Sequence, residues 1–406
     1  MDTTIPLNNG LHELACGVLV SRIERPATAI DVAALLTTAT ADNASVTPFG
    51  GRRSIATGNA VSTAPIGLDT TGITGIISYE PADLTVSVRS GTSFAEVQSE
   101  LAKHGQELAI DVPNPALSTV GGVVATGFAG PRKLRAGSLR DLLIGCEYVR
   151  GDGMLAKAGG MVVKNVSGYE IPRFLHGSWG SLAVLTSVNL KVAPIGRADG
   201  TVVSSFDTLV EAVDAASNLI AAEPLLEACT VTDFDGVCRV SARFVGRANA
   251  VEQTLGTIQN RLGAGSTVLE TDESRAYWQA QVDQFAESTE RVVVAFGTRA
   301  RDVAALAAAM NETFSDLPGR RVMVSPGTGV LRVSYPVRSA TASESLMALT
   351  GIAKAQGATW VVESAPVAQR SQVTQWGPEP DGIAVMRAVK AQFDPTGILN
   401  TGRLFI

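Results

Sequence analysis

The sequence predicts an α+β protein of two domains, and three observations support this prediction. The chain has 406 residues, which corresponds to roughly two or three domains of ordinary size. Short β-like runs alternate with helical stretches in the first half, whereas predicted hairpins alternate with helices in the second half, a pattern typical of an antiparallel sheet with helices on one face. Residues 193–200 carry one proline and two glycines without apolar periodicity, and we therefore place the domains at 1–196 and 197–406.

The first domain is predicted to contain two amphipathic helices among its strands. Residues 31–38 place their apolar side chains on one helical face, with Thr28 or Asp31 as the cap. Residues 93–104 begin at Ser93, which is followed three residues later by a glutamate, as in a capping box. The strand-like runs cover residues 75–79, 84–88, 142–150, 161–166 and 184–192.

The second domain is predicted to contain more helices and more hairpins than the first. Its apolar periodicity predicts helices over residues 209–222, 249–262, 274–288, 302–314, 343–356 and 386–393. Strands are predicted over residues 226–231, 237–245, 291–296, 321–324, 330–335 and 359–363. The last stretch, residues 394–403, carries one proline and two glycines and is predicted to be an ordered tail.

The composition excludes several classes of protein. Hydrophobic residues make up 45% and charged residues 18% of the chain, a balance typical of globular proteins. The formal net charge is −6 and no basic stripe occurs, so we expect no nucleic-acid partner. No run of 18 apolar residues is present, and the first twenty residues lack the Lys or Arg of a signal peptide. We therefore expect a cytoplasmic protein that reaches a membrane only through partner subunits.

Two glycine-rich clusters are the candidate ligand sites, because the GxGxxG and GxxxxGK[ST] phosphate motifs are both absent. The first cluster consists of Gly50, Gly51, Arg52, Arg53 and Ser54. Adjacent glycines allow successive backbone N–H groups to point into one concavity that binds phosphate oxygens, and arginine forks add matching charge. The alternative is a glycine-rich surface turn with two solvated arginines.

The second cluster extends over residues 118–141 and is rich in small side chains. Small residues there would let a large planar ligand lie against the backbone, whereas the alternative is tight packing between loops. Its charged residues Arg132, Lys133 and Arg135 suit either a phosphate contact or a solvated charge run. A third glycine-rich segment, residues 164–182, precedes the strand predicted over 184–192.

The order of these segments resembles the flavin-binding domain of the vanillyl-alcohol oxidase (PCMH-type) flavoproteins. The resemblance covers residues 25–194 and returns at the C-terminal tail. It rests on the stretches STVGGVVATGFAGPRKLRAGSLRDLLIG, VVKNVSGYEIPRFLHGSWGSLAVLTSVNLKVAP and FDPTGILNTGRL. Within that family these stretches are similar to the E subunit of glycolate oxidase. The resemblance implies a PCMH-type FAD-binding domain of two α/β subdomains, followed by an FAD-linked oxidase cap domain whose tail returns to the flavin.

The resemblance also implies roles for individual residues. The first cluster, Gly50 to Ser54, would hold the FAD pyrophosphate, and Asn400 and Arg403 would reach the flavin edge. FAD would be held noncovalently, because no histidine or cysteine lies in the first cluster. The other cofactor-binding residues would be Thr119, Gly121 and Gly122 near the flavin, Gly137, Ser138 and Asp141 along the cofactor groove, and Val184 and Thr186 on the adenine side.

The sequence departs from the catalytic relatives in its cap. Those relatives carry a metal-binding motif of the form HxGDGNxH, whereas the three histidines of this chain, His12, His104 and His176, all precede residue 177. We therefore predict no metal site and leave the catalytic residues unassigned. The polar cap residues Arg243, Arg332, Tyr335 and Glu363 are interpreted as sheet-surface or ion-pair residues.

The resemblance predicts an FAD-binding subunit of a glycolate oxidase (glycolate dehydrogenase) complex. Glycolate would be oxidised to glyoxylate, and electrons would pass through the flavin to an iron–sulfur subunit, with a larger homologous FAD subunit as a further partner. The cysteines Cys16, Cys146, Cys229 and Cys238 are too far apart in sequence to form a cluster motif within this chain. The alternatives are a free-standing FAD-dependent dehydrogenase of a 2-hydroxy acid such as D-lactate, and a structural subunit with a degenerate flavin groove.

Overall fold

A computed structural model describes the chain at residues 5–6, 11–15, 18–59, 64–161, 170–234, 236–263, 265–286, 288–315, 317–338 and 342–406. Cys16 and, apart from its first residue, the strand predicted over 161–166 lie outside the described residues. The chain divides into two compact units. Unit 1 consists of Met1–Ala129, Ser138–Ile195 and Glu379–Ile406, and unit 2 consists of Gly130–Gly137 and Gly196–Pro378.

Unit 1 contains a mixed sheet and an antiparallel sheet. Its strands are β1 (Ile5–Pro6), β2 (His12–Ala15), β3 (Val18–Glu24), β4 (Val46–Phe49), β5 (Ala64–Asp69), β6 (Ile76–Glu80), β7 (Thr85–Arg89), β8 (Gln106–Glu107), β9 (Leu143–Arg150), β10 (Leu155–Gly159), β11 (Ala183–Lys191) and β12 (Ala193–Pro194). The first sheet has the order β1-β2-β3-β5-β4, in which β3, β5 and β4 are parallel. The second has the order β10-β9-β11-β7-β6 and is antiparallel throughout. Strands β8 and β12 form a separate pair.

Helices connect these strands, and two of them begin at the capping residues that the sequence predicts. In chain order they are α1 (Ala29–Ala41), α2 (Phe94–Ala102), α3 (Val120–Thr126), α4 (Lys133–Ala136), α5 (Leu139–Leu142), α6 (Ile171–Leu175), α7 (Leu209–Ala222), α8 (Ala248–Leu262), α9 (Thr271–Asp283), α10 (Val303–Phe314), α11 (Ala342–Ala355), α12 (Val367–Arg370) and α13 (Ile383–Phe393). Thr28 and Asp31 both cap α1, since each side chain accepts a hydrogen bond from the other's backbone N–H. Ser93 caps α2 and accepts from the backbone N–H of Glu96 at 3.1 Å.

Unit 2 is built on one antiparallel sheet. Its strands are β13 (Ala198–Phe206), β14 (Ala228–Phe234), β15 (Val237–Gly246), β16 (Thr267–Glu270), β17 (Arg291–Gly297), β18 (Arg321–Ser325), β19 (Val330–Pro336) and β20 (Thr359–Ser364). Their order is β16-β13-β15-β14-β18-β19-β17-β20. Apolar residues of α7, α8, α10 and α11 pack against one face of this sheet and form a large buried core. The predicted α+β architecture is thereby confirmed, with an antiparallel sheet and helices in the second half.

Helix α9 differs from the expectation that all helices lie on one face. Its Trp278 Nε1 donates to Thr201 Oγ1 at 2.8 Å, and its Ser274 Oγ donates to Asp199 Oδ1 at 2.7 Å. Thr201 precedes Val202, which belongs to the core on the other face, and successive strand residues point to opposite faces. Helix α9 therefore packs on the face opposite the core, where hydrogen bonds supplement its apolar contacts, and this is why a prediction from apolar stripes missed its location.

The cysteines that the structure describes are buried and are expected to be unreactive. Burial raises the pKa of the Cys146 and Cys229 thiols to about 12 and, with Asp233 nearby, raises that of Cys238 to about 11. Because the thiolate is the reactive form, native protein at neutral pH should react with Ellman's reagent at no more than one of its four cysteines. All four should react in denaturant. Rapid reaction of two or more thiols in the native protein would contradict the prediction.

Candidate functional site

A cavity in unit 1 contains many of the residues predicted to bind the cofactor. It encloses about 970 Å³ of empty space, including its open mouth. The segments that line it include the glycine-rich stretch after β4, helix α3, the start of β11 and the C-terminal tail. The predicted residues that line it are Gly50, Gly51, Arg52, Arg53, Ser54, Thr119, Gly121, Gly122, Val184, Asn400 and Arg403.

Four predicted residues do not line this cavity. Gly137 lies in unit 2. Ser138 and Asp141 cap α5, where the backbone N–H of Ser138 donates to Asp141 Oδ2 at 2.9 Å and lowers the pKa of that carboxyl. The buried hydroxyl of Thr186 donates to Glu147 Oε1 at 3.0 Å. Ser138 and Asp141 thus cap a helix, and Thr186 forms a side-chain hydrogen bond between two neighbouring strands.

The two arginines of the first cluster present unused hydrogen-bond donors. Arg52 Nη1 and Arg53 Nε are buried and have no hydrogen-bond partner among the described residues. Neither guanidinium forms an ion pair with a described carboxylate, and that of Arg52 lies 4.7 Å from the centre of the Phe49 ring. A buried guanidinium donor with no hydrogen-bond partner is unfavourable unless a ligand supplies an acceptor. The arrangement is therefore suited to an anion.

Close backbone approaches shape the rest of the cavity wall. A Cβ atom on Gly51 would lie 1.7 Å from the carbonyl oxygen of Leu117, and one on Gly121 would lie 2.6 Å from Cβ of Ser90. Only glycine allows these segments to come so close. Thr119 begins α3, and its hydroxyl accepts from the backbone N–H of Gly122 at 3.2 Å. Gly51 and Gly121 are therefore needed because the chain segments that form the cavity wall pack too closely for a side chain.

The C-terminal tail completes the cavity. Asn400 Nδ2 donates to the carbonyl oxygen of Trp179 at 2.6 Å, whereas its buried Oδ1 has no partner among the described residues. Arg403 is buried, and its Nη1 donates to the carbonyl oxygens of Ile55 and Thr57, each at 2.6 Å. The tail thus fixes the loop that follows the arginines and contributes a residue with a buried, unpartnered acceptor to the cavity lining.

Three of the seven described non-glycine residues with positive φ line this cavity. Arg52, Trp179 and Asn400 all line it, and their φ angles are 57°, 55° and 45°. Such conformations cost of order 1–3 kcal/mol for residues other than glycine and often occur at functional sites. Sequence reasoning did not single out Trp179 or Ser90, although the glycines on either side of Trp179 are a local signal.

The polar cap residues are engaged in structural interactions within unit 2. Arg243 Nη2 and Asp199 Oδ2 are 2.6 Å apart and buried, and Arg332 lies 3.3 Å from Glu363. The Tyr335 hydroxyl donates to the carbonyl oxygen of Ala342 at 3.1 Å, and burial raises its pKa. The ion pairs of Arg243, Arg332 and Glu363 agree with the interpretation from sequence, whereas Tyr335 is buried in the core and lies neither at the sheet surface nor in an ion pair.

The charge run in the second cluster is also partnered, rather than solvated throughout. Arg132 Nε and Glu227 Oε1 form a buried pair at 2.7 Å, and Arg135 lies 3.8 Å from the same carboxylate.

Among the described residues, no group of three or more His, Cys, Asp or Glu side chains is placed to hold a metal ion. In the described ranges no helix is both long and apolar enough to cross a bilayer.

Two segments of the chain match known families. Residues 20–159 match the family described as FAD binding domain, and residues 369–404 match FAD linked oxidases, C-terminal domain. These matches and the architecture confirm the predicted PCMH-type FAD-binding domain. They also identify FAD as the cofactor of that domain.

Individual relatives agree with this class of protein. Glycolate oxidase subunit GlcE of Escherichia coli (strain K12) is 41% identical over 125 residues, which are 30% of this chain and 36% of the relative. D-lactate dehydrogenase of Anaerostipes hadrus is 27% identical over 183 residues, which are 45% of this chain and 38% of the relative. The alignments thus span little more than a third of either relative. A structure of alkyldihydroxyacetonephosphate synthase matches with a TM-score of 0.72 at 17% identity. The match covers 95% of this chain and 76% of the synthase chain, and it supports the fold.

Proposed function

We propose that this chain is the FAD-binding subunit of a glycolate oxidase complex. In this proposal glycolate is oxidised to glyoxylate, and the electrons pass through flavin to an iron–sulfur subunit. A larger homologous FAD subunit is the second partner. The observation that carries the cofactor assignment is the pair of buried, unpartnered donors at Arg52 and Arg53. The similarity to a glycolate oxidase subunit supports the substrate.

The cavity residues fit FAD on chemical grounds. Arg52 and Arg53 would neutralise the pyrophosphate, while the backbone N–H groups of Gly50 and Gly51 would donate to its oxygens. The free Oδ1 of Asn400 would accept a hydrogen bond from an N–H or O–H group of the cofactor. Bound FAD would supply a redox group that can accept electrons and pass them on. The protein's part is to bind and orient the cofactor and to exclude water from it.

We further propose that the flavin of this subunit relays electrons or completes the assembly, while substrate oxidation takes place on the larger subunit. Removal of the hydroxyl proton of a 2-hydroxy acid requires a base, most often a histidine, and residues 177–406 contain none. The polar groups Arg243, Arg332 and Glu363 are held in ion pairs. A free-standing D-lactate dehydrogenase is the second candidate, favoured by the match to a D-lactate dehydrogenase.

The visible spectrum of the purified chain, before and after anaerobic addition of glycolate, tests these proposals. We expect a yellow protein that stays oxidised with glycolate or D-lactate alone and is bleached by glycolate once the larger subunit is added. Bleaching of the isolated chain by D-lactate, but not by glycolate, would favour the second candidate. Bleaching of the isolated chain by glycolate, without the larger subunit, would contradict the proposal that this flavin only relays electrons. A colourless protein that FAD cannot reconstitute would overturn the cofactor assignment for this chain.

A further inference from the structure

A second concavity lies in unit 2, beside helix α9 on the sheet face opposite the core. It contains about 790 Å³ of empty space, including its open mouth. Strand residues Val203, Phe234 and Leu269 contribute apolar surface, Arg239 contributes charge, and Tyr277 contributes a wall on the helix side. We call this concavity the α9 groove.

Arg239 is the charged side chain that lines the α9 groove. It is half-buried on β15 and forms no hydrogen bond or ion pair with any residue that the structure describes. Arg243 lies four residues further along the same strand and on the same face, and it is paired with Asp199. Because a guanidinium has five donors arranged for a planar carboxylate, Arg239 offers an anion site that Arg243 does not.

The wall of the groove is fixed before any ligand arrives. The Tyr277 hydroxyl lies 2.7 Å from Ser241 Oγ, and Gln281 accepts from Thr230 Oγ1 at 3.0 Å. Trp278, anchored to Thr201, secures the same helix to the sheet. A preformed wall lowers the ordering entropy that a ligand must overcome.

We propose that the α9 groove binds a small carboxylate-bearing molecule with an apolar body, whose carboxylate lies on Arg239. The apolar walls distinguish such a ligand from inorganic phosphate, which would leave them in contact with water. The site involves unit 2 alone. Its lining shares no residue with that of the cofactor cavity, and the proposal does not depend on the glycolate chemistry.

Titration of the FAD-loaded protein with hexanoate and with its neutral isostere hexanamide tests the proposal. We expect hexanoate to bind, and Arg239→Gln to weaken it about tenfold or more through loss of charge-assisted hydrogen bonds. Hexanamide should bind less tightly than hexanoate and be unaffected by this change. Ala280→Trp fills the groove from the exposed side of α9 and should abolish hexanoate binding with all charges retained. Calorimetry measures binding, and the flavin spectrum reports separately any binding at the flavin.

Arg321 provides the matched control. It is half-buried in the same sheet, also lacks a partner among the described residues, and does not line the groove. Arg321→Gln should therefore leave hexanoate affinity unchanged. The proposal is overturned if wild-type protein does not bind hexanoate at millimolar concentrations, if Arg239→Gln binds as tightly as wild type, or if Arg321→Gln weakens binding equally.

Discussion

Replacement of Arg52 and Arg53 together by glutamine is expected to weaken FAD binding by about a hundredfold or more. Hydrogen bonds to charged groups contribute about 1.5–3 kcal/mol each, and about 1.4 kcal/mol corresponds to a factor of ten in affinity. Both guanidinium groups have buried donors that no described residue satisfies. The substitutions therefore remove few interactions within the protein itself, and their main effect should be on FAD binding. Titration of apoprotein with FAD, followed by flavin fluorescence, measures the effect.

The control for this experiment is Arg22→Gln. Arg22 lies on β3 of the same unit, but its side chain is exposed and pairs with Glu24 at 3.0 Å. An exposed pair of this kind contributes about 0–1 kcal/mol, so FAD affinity should be unchanged. If the double variant bound FAD as tightly as Arg22→Gln, the arginines would be solvated turn residues, which is the alternative that the sequence left open.

The sequence predicted those parts of the site that are continuous in the chain. Gly50 to Ser54 form one local pattern, and their chemistry could be interpreted without knowing the fold. The roles expected for Asn400 and Arg403 came only from the family resemblance. Their contacts with Trp179 and Ile55 join residues more than 200 positions apart, and no local spacing encodes such contacts.

The helices and strands also divide into those that a local sequence pattern predicts and those that long-range contacts determine. Helix α7 occupies the predicted range 209–222, because a threonine cap and an apolar stripe define it locally. Strand β13 was missed, since Gly200 and Ser204 interrupt its apolar alternation. Pairing with β15 and β16 on both sides determines it instead. Tertiary pairing thus overrides local propensity in this strand.

An ion pair in unit 1 holds the tail beside the cavity. Lys390 Nζ lies 2.5 Å from Asp394 Oδ2 and donates to the carbonyl oxygens of Ser181 at 2.6 Å and Leu399 at 3.0 Å. Asp394 accepts in turn from the backbone N–H groups of Ile398 and Leu399. Burial lowers the pKa of Lys390, and the adjacent Asp394 opposes that effect. The pair therefore joins helix α13, the start of the β11 segment and the tail.

Lys390→Met is expected to destabilise unit 1 by about 3 kcal/mol or more, because it leaves a buried carboxylate without its cation. Since Leu399 directly precedes Asn400, FAD affinity should fall as well. Urea unfolding and FAD titration measure the two effects. Adding Asp394→Asn removes the stranded charge but retains a side-chain acceptor for the tail, so the double variant should recover part of the lost stability.

Arg387→Met is the matched control for this pair on the same helix. Arg387 pairs with Glu379 at 2.7 Å, but both side chains are more than half exposed, so the expected loss is at most about 1 kcal/mol. Equal losses in Lys390→Met and Arg387→Met would show that burial adds nothing to the Lys390 pair. A stability loss without any change in FAD affinity would show that the tail can shift without disturbing the cofactor, and Asn400 would then have no part in holding it.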